Sequence, residues 1–183
     1  VRDCGVKNCT LHTNALGEQD TTSEILLHER NGGHNHLQHW DKNPRSKRER
    51  SSKATVQVNV TTLDSYNFES VDFIKIDVEG YEWFVLQGAE LTLQRERPML
   101  QLEIVNTQCR KFNYAPEQMI SWLRNRDYRV CSKRDGWLGG EFRGEGSKLL
   151  YNSVPRKGDM DLFFIPCEWN HQLEPAKELF ELD

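Results

Sequence analysis

Residues 71–103 constrain the fold more than any other part of this chain, and they read VDFIKIDVEGYEWFVLQGAELTLQRERPMLQLE. Residues 71–78 are mostly apolar, which predicts a parallel strand covered on both faces. A helix with one apolar face is predicted over residues 81–95, and Pro98 limits its extent because the residue before a proline avoids helical geometry. Residues 99–105 predict a second strand. This order predicts an α/β fold in which the two strands are neighbouring, parallel and central.

Acidic side chains stand where both predicted strands end. Asp77, Glu79 and Gly80 follow the first strand, and Glu103 lies at the end of the second. In open α/β sheets, ligands bind in the crevice beyond the carboxyl ends of the strands. Neighbouring strands lie about 4.8 Å apart, so we expect Asp77 and Glu103 to face one pocket.

The wider sequence around these acids has a recognisable order. It runs Thr-Leu-Asp at residues 62–64, IKIDVEGYE at 74–82, Leu-x-Gly-Ala at 86–89, Arg-x-Arg-Pro at 95–98 and a strand that ends in Glu103. This string resembles the core signature of the FkbM family of S-adenosylmethionine-dependent methyltransferases. The resemblance implies a Rossmann-like class I methyltransferase fold, with a mostly parallel central sheet and an antiparallel last pair of strands.

The resemblance also implies a catalytic group. Its expected members are Asp77, Glu79 and Glu103. Methyl transfer from a sulfonium is an in-line displacement, so the protein mainly positions the partners and removes a proton from a weak nucleophile such as a hydroxyl. A strand-end carboxylate can remove that proton or pair with the cationic cofactor. The alternative for Asp77 and Glu79 is binding of backbone donors at a helix N-terminus, and Glu103 has the alternative of a satisfied strand-end acid.

The expected cofactor is S-adenosylmethionine, and its predicted binding residues are Asn14, Ala15, Leu16, Asp77 and Gly80. The first three end an early strand, predicted over residues 10–16, where methyltransferases of this class contact the adenine. The alternative is that these three residues are ordinary core and turn residues without a binding role. Two further acids favour structural roles, Glu82 as a dipole or capping partner in the first helical turn and Asp64 as the cap of a short helix.

A chain of 183 residues is long enough for one domain. It lacks a glycine-rich turn after a first strand, and it lacks the acidic residue that would bind a ribose. The resemblance implies that these elements precede Val1, so residues 1–183 are expected to form a single, N-terminally incomplete methyltransferase domain. Further strands are predicted over residues 23–29, 57–60, 128–132 and 161–165, a helix is predicted from Pro116, and a polar exposed insertion is expected at about 31–53.

The net charge of −4 gives no electrostatic argument for nucleic acid, and no apolar run is long enough to span a bilayer. Five cysteines without a CxxC pair favour reduced thiols in a cytoplasmic protein. The histidines at positions 34, 36 and 39 lie in polar sequence, which favours a solvated loop over a metal site.

The resulting hypothesis is O-methylation of a hydroxyl on a sugar or another small-molecule acceptor, with N-methylation as a variant. One alternative is a different nucleotide or nucleotide-sugar enzyme on a Rossmann-like sheet. Another is a non-catalytic module that binds nucleic acid through the basic run at residues 42–53.

Overall fold

The computed structural model describes residues 7–26, 36–37, 55–132 and 160–171. Their strands are β1 (Ala15–Leu16), β2 (Thr21–Leu26), β3 (His36–Leu37), β4 (Thr55–Thr61), β5 (Phe73–Ile76), β6 (Met99–Ile104), β7 (Tyr128–Ser132) and β8 (Met160–Pro166). Their helices are α1 (Glu82–Gln87), α2 (Glu90–Glu96), α3 (Asn106–Lys111) and α4 (Pro116–Arg124). Short 3₁₀ turns follow β4 at Asp64–Tyr66 and β8 at Cys167–His171. Within these residues, no helix has the length and apolar character needed to cross a membrane.

The first sheet has the strand order β1-β4-β2-β3. β1 runs parallel to β4, whereas β2 pairs antiparallel with both β4 and β3. The predicted strands at 23–29 and 57–60 are therefore confirmed as neighbours where they are described. The strand predicted over residues 10–16 is shorter than expected, because only Ala15–Leu16 pairs with β4.

The polar insertion expected at about residues 31–53 is only partly described, and there it needs a correction. His36–Leu37 forms a strand against the end of β2, and Leu37 is buried. The prediction of an exposed excursion is wrong at this point, because backbone pairing and burial of the leucine hold the segment to the sheet. The rest of the insertion, including His34, His39 and the basic run, lies outside the described residues.

The second sheet has the strand order β5-β6-β8-β7. β5 and β6 are parallel neighbours, as predicted, with Ile76 opposite Leu102. β8 runs antiparallel to β6 on one side and to β7 on the other, which confirms the antiparallel last pair. Since the first sheet is also mixed, the fold is α/β with two mixed sheets.

The prediction that both strands of the acidic segment are central is wrong for β5. It lies at one edge of its sheet in the part of the chain that is described, and Phe73 is 46% exposed. Its outer side pairs with none of the described strands, so its apolar side chains are covered less than the sequence suggested. β6 is an inner strand, and Leu100, Leu102 and Ile104 are fully buried.

The helix predicted over residues 81–95 is interrupted. α1 ends at Gln87 and α2 starts at Glu90, with Gly88 and Ala89 between them. A Cβ atom at Gly88 would lie 1.9 Å from the carbonyl oxygen of Gly17, and the Gly88 carbonyl accepts a hydrogen bond from the Asp64 amide at 3.0 Å. The helix is therefore interrupted where the backbone that follows β1 packs directly against it.

Both helices still present the predicted apolar face to the second sheet. The buried apolar side chains on this face are Val85, Leu86, Leu93 and, in the break between the helices, Ala89. α4 also agrees with the prediction, since Pro116 occupies its first turn and Met119, Ile120 and Leu123 are buried. α3, directly after β6, was not predicted. The resulting core lies between these helices and the inner strands β6 and β8.

The close approach at Gly88 can be tested with Gly88→Ala. Gly88 has φ −77° and ψ 0°, which alanine also adopts, so backbone strain is not the issue. The clash with the Gly17 carbonyl should lower the free energy of unfolding by about 1–3 kcal/mol, measured by urea denaturation. Gln94→Ala, at an exposed position of α2, is the control and should change stability by less than about 0.5 kcal/mol. A Gly88→Ala variant as stable as the wild type would contradict this packing.

Candidate functional site

A tight turn connects β5 to α1 at the carboxyl end of the strand. Within it, Glu79 has φ 57° and Gly80 has φ 103°, so two consecutive residues are left-handed. A Cβ atom at Gly80 would lie 2.9 Å from the carbonyl carbon and the Cβ atom of Gln108. Gly80 is thus required both by its backbone angle and by the closeness of α3. We call residues 77–80 the acidic turn.

The buried carboxylate of Glu82 holds this turn. Its Oε1 accepts hydrogen bonds from the amides of Val78 and Gly80, both at 3.1 Å. Its Oε2 accepts one from the Tyr114 hydroxyl at 3.3 Å, and the same hydroxyl lies 3.0 Å from the Gly80 carbonyl. The side chain is almost fully enclosed, and this burial raises the pKa of Glu82 despite the donors around it. The predicted structural role of Glu82 is confirmed.

Asp77 has different partners. Lys75 Nζ donates a hydrogen bond to Oδ2 of Asp77 at 2.9 Å, and the Asp77 side chain is 42% exposed. The register that sets Ile76 opposite Leu102 brings Asp77 beside Glu103, and the two carboxyl groups interact. The hydrogen bond from Lys75, followed by the one with Glu103, lowers the pKa of Asp77 against the opposing effect of burial. The two strands are neighbours, as that expectation required, whereas a shared pocket for Asp77 and Glu103 and their catalytic roles stay predictions.

Glu79 contacts Gln108, a residue that the sequence did not identify as part of the site. Its carboxylate accepts a hydrogen bond from Nε2 of Gln108, in α3. The other amide atom of Gln108, Oε1, is buried and has no hydrogen-bond partner among the described residues. The available signal was position: Gln108 follows closely after the strand end at Glu103, at the edge of the sheet where ligands bind.

The early segment expected to bind cofactor reaches the same region. Asn14 is exposed, while Ala15 and Leu16 are half-buried in β1. Immediately after them, a Cβ atom at Gly17 would lie 3.4 Å from the Tyr81 ring, and the Tyr81 hydroxyl donates to Glu18 at 3.3 Å. Tyr81 directly follows Gly80. The two segments predicted to bind cofactor therefore meet at Tyr81, and their cofactor roles remain predictions.

Tyr81 is itself held firmly. Its ring stacks on Phe84, with centroids 4.5 Å apart, and meets Phe112 edge-on at 5.3 Å. Burial, together with the nearby negative charge of Glu18, raises the pKa of Tyr81 to about 12. The phenol is therefore a neutral hydrogen-bond donor at physiological pH.

Asp64 is a cap, as predicted, but for a different helix. Its carboxylate accepts hydrogen bonds from the amides of Leu91 at 2.9 Å and Thr92 at 2.8 Å, and from the Thr92 hydroxyl at 2.7 Å. It thus caps α2 rather than the short turn that it begins. The Thr-Leu-Asp part of the sequence pattern therefore connects the end of β4 to α2. The Asp64 carboxylate makes these contacts with α2 and not with the acidic turn.

Metal ligation has no support in the described ranges. In residues 7–26, 36–37, 55–132 and 160–171, no group of three or more His, Cys, Asp or Glu side chains could hold a metal ion. His12 instead packs edge-on against Tyr66, with ring centroids 4.6 Å apart.

The mixed α/β sheets and the acidic turn at a parallel strand end are consistent with a methyltransferase-like fold. The family model described as the Methyltransferase FkbM domain matches residues 3–130, well over half of the chain. The chain therefore belongs to the FkbM methyltransferase domain family, which confirms the resemblance seen in the sequence. No curated protein and no solved structure matches it.

The buried charge of Glu82 predicts a pH effect on stability. Because the folded-state pKa of Glu82 is raised, its contribution is fully present below the ordinary value of 4.5 and is lost as the pH rises through the raised pKa. In Glu82→Gln, the amide oxygen can still accept from Val78 and Gly80, without a charge. Relative to the wild type, we expect the free energy of unfolding of Glu82→Gln to increase as the pH rises above 4.5, measured by urea denaturation between pH 4 and pH 8.

Glu69→Gln, at an exposed position, is the matched control and should show no such trend. A stability difference between Glu82→Gln and the wild type that stays constant over this pH range would mean that Glu82 is not a buried carboxylate.

Proposed function

We propose that this domain transfers a methyl group from S-adenosylmethionine to an oxygen of a sugar or another small-molecule acceptor. The observation that carries the proposal is the Asp77–Glu103 pair at the carboxyl ends of two parallel strands in a chain of the FkbM methyltransferase family. We further propose that the two sheets belong to a Rossmann-like class I fold, which the strand order β5-β6-β8-β7 and its antiparallel β8 support.

The charge of the acidic pair supports distinct roles for its members. The lowered pKa keeps Asp77 ionised at neutral pH, but it also makes Asp77 a weaker base. A persistent negative charge suits the pairing of Asp77 with a sulfonium. We propose that Asp77 provides this charge and accepts the proton of the acceptor hydroxyl as the new bond forms, whereas Glu103 helps to orient that hydroxyl. Glu79, anchored by Gln108, would bind a polar group of either ligand.

The residues present fit a sulfonium cofactor on the side that the acidic turn forms. Gly80 sets the backbone of the turn through its left-handed φ, the acids supply negative charge, and Oε1 of Gln108 has no hydrogen-bond partner among the described residues. Asn14, Ala15 and Leu16 would contribute from β1, across Tyr81. When bound, S-adenosylmethionine would supply the electrophilic methyl group.

The other expectations have less support. The basic run on which a nucleic-acid-binding module would depend lies outside the described residues, and the chain as a whole carries a net charge of −4. We propose a small-molecule or glycan acceptor as the partner. Cys9, Cys109 and Cys167 are free thiols, which supports the proposal of a reducing, cytoplasmic compartment.

Asp77→Asn tests the proposed site, since it keeps the shape of the side chain and removes its charge. We expect the Kd for S-adenosylmethionine to rise several-fold, because its sulfonium loses a counter-charge, and the Kd for S-adenosylhomocysteine, which lacks that charge, to rise less. The rate of methyl transfer to a panel of free sugars should fall about 10²-fold or more. Binding is measured by calorimetry, on the 183-residue chain and on the longest natural polypeptide that contains it.

Asp72→Asn is the control, because Asp72 is exposed and precedes the opposite end of β5. This variant should bind and react like the wild type. If Asp77→Asn also behaves like the wild type in both assays, Asp77 does not belong to the site. If neither wild-type polypeptide binds S-adenosylhomocysteine or transfers a methyl group, the proposed function itself is wrong.

A further inference from the structure

Tyr114 lies beneath the acidic turn, in the segment that connects α3 to α4. The residue is buried, and its ring packs among aromatic side chains, with centroids 6.4 Å from Trp83 and 6.1 Å from Phe84. Its hydroxyl is within hydrogen-bond distance of the Gly80 carbonyl and of Glu82 Oε2. These are polar contacts that phenylalanine at this position could not make.

The Tyr114 hydroxyl contacts two acceptors that are both costly to leave unpaired. The Gly80 carbonyl belongs to a turn with consecutive left-handed residues, and the Glu82 carboxylate is a buried charge. Burying such groups without a donor costs free energy, more for the charged one. One phenolic hydrogen lies between both acceptors, and burial, with the charge of Glu82, raises the pKa of Tyr114, so the hydrogen stays on the hydroxyl. The turn is thereby fixed from both of its sides.

We propose that Tyr114 is a positioning residue for the candidate active site, acting through Gly80 and Glu82 on Asp77 and Glu79. Glu82 binds the amides on both sides of Glu79, and Tyr114 fixes the carbonyl that follows it. The direction in which the Asp77 and Glu79 carboxylates leave the turn depends on these contacts. This inference rests on the proposed function and names a determinant that the sequence pattern at residues 74–82 does not contain.

The test is Tyr114→Phe, which keeps the ring and removes only the hydroxyl. The first readout needs no ligand: the pKa of the Asp77 carboxyl, followed by NMR. If the turn relaxes, Asp77 loses its alignment with Lys75 and Glu103, and its lowered pKa should rise toward the ordinary value of 3.8. The amides of Val78 and Gly80 should also exchange with solvent about tenfold faster.

The second readout is the Kd for S-adenosylhomocysteine, measured by calorimetry on the same polypeptides as for Asp77→Asn. The net loss of one hydrogen bond corresponds to a change of about fivefold, and we expect an increase of that size in Tyr114→Phe. Glu82→Gln should retain wild-type exchange of the Val78 and Gly80 amides, because its amide oxygen still accepts from both.

Tyr128→Phe is the matched control, since the Tyr128 hydroxyl is also buried but has no hydrogen-bond partner within the described residues. It should leave the Asp77 titration and amide exchange in the turn unchanged. An Asp77 pKa and Val78 and Gly80 exchange rates in Tyr114→Phe equal to those of the wild type would overturn the inference. Absence of S-adenosylhomocysteine binding in the wild type would instead refute the proposed function, and the titration would still decide the role of Tyr114.

Discussion

The buried carboxylate of Glu82 is the interaction on which the candidate site depends. A turn with two left-handed residues in succession, one of them Glu79, is unfavourable unless its surroundings hold it. Glu82 supplies that support by accepting the Val78 and Gly80 amides, although burying a carboxylate has its own cost in free energy. Because these amides are bound by Glu82, Asp77 is not needed as their acceptor. It remains at the strand end with Lys75 and Glu103 as partners.

The acids of the sequence pattern thus fall into two groups according to their partners. Asp64 and Glu82 each accept hydrogen bonds from two backbone amides and one hydroxyl. Asp64 connects its segment to α2, and Glu82 holds the turn before α1. Asp77 and Glu103 bind each other across two strands, and Glu79 binds a side chain of α3. A carboxylate that binds backbone amides supports the fold, whereas a carboxylate that binds a side chain can exchange that partner for a ligand. The second group is therefore the one from which a reaction can draw charge and proton acceptors.

The sequence predicted those features that depend on local pattern. Apolar runs predicted β6 and β8, Pro116 predicted the start of α4, and the ordered string over residues 61–105 predicted the family. It failed where distant segments meet. The break at Gly88 depends on the Gly17 carbonyl, the edge position of β5 depends on which strands flank it, and the role of Tyr114 depends on the packing of its loop under the turn. The sequence predicted which carboxylates lie at the site. Only their hydrogen-bond partners, seen in the structure, separate those that support the fold from those that are candidates for chemistry.

The electrostatics of Asp77 further restrict the mechanism that this site can support. A base whose pKa is lowered gives less driving force for removing a proton from a hydroxyl, so strong general-base catalysis does not fit Asp77 alone. Methyl transfer from a sulfonium has a good leaving group, and the acceptor proton is shed as the new bond forms, which relaxes the demand on the base. A fixed negative charge beside the reacting centre then contributes mainly by orientation and charge stabilisation. In the proposed reaction, the departing proton would go to the ionised Asp77, and Glu103, which interacts with Asp77, would help to orient the acceptor. Such a mechanism requires a rigid turn, because its rate would depend on the position of the Asp77 charge rather than on the basicity of that carboxylate.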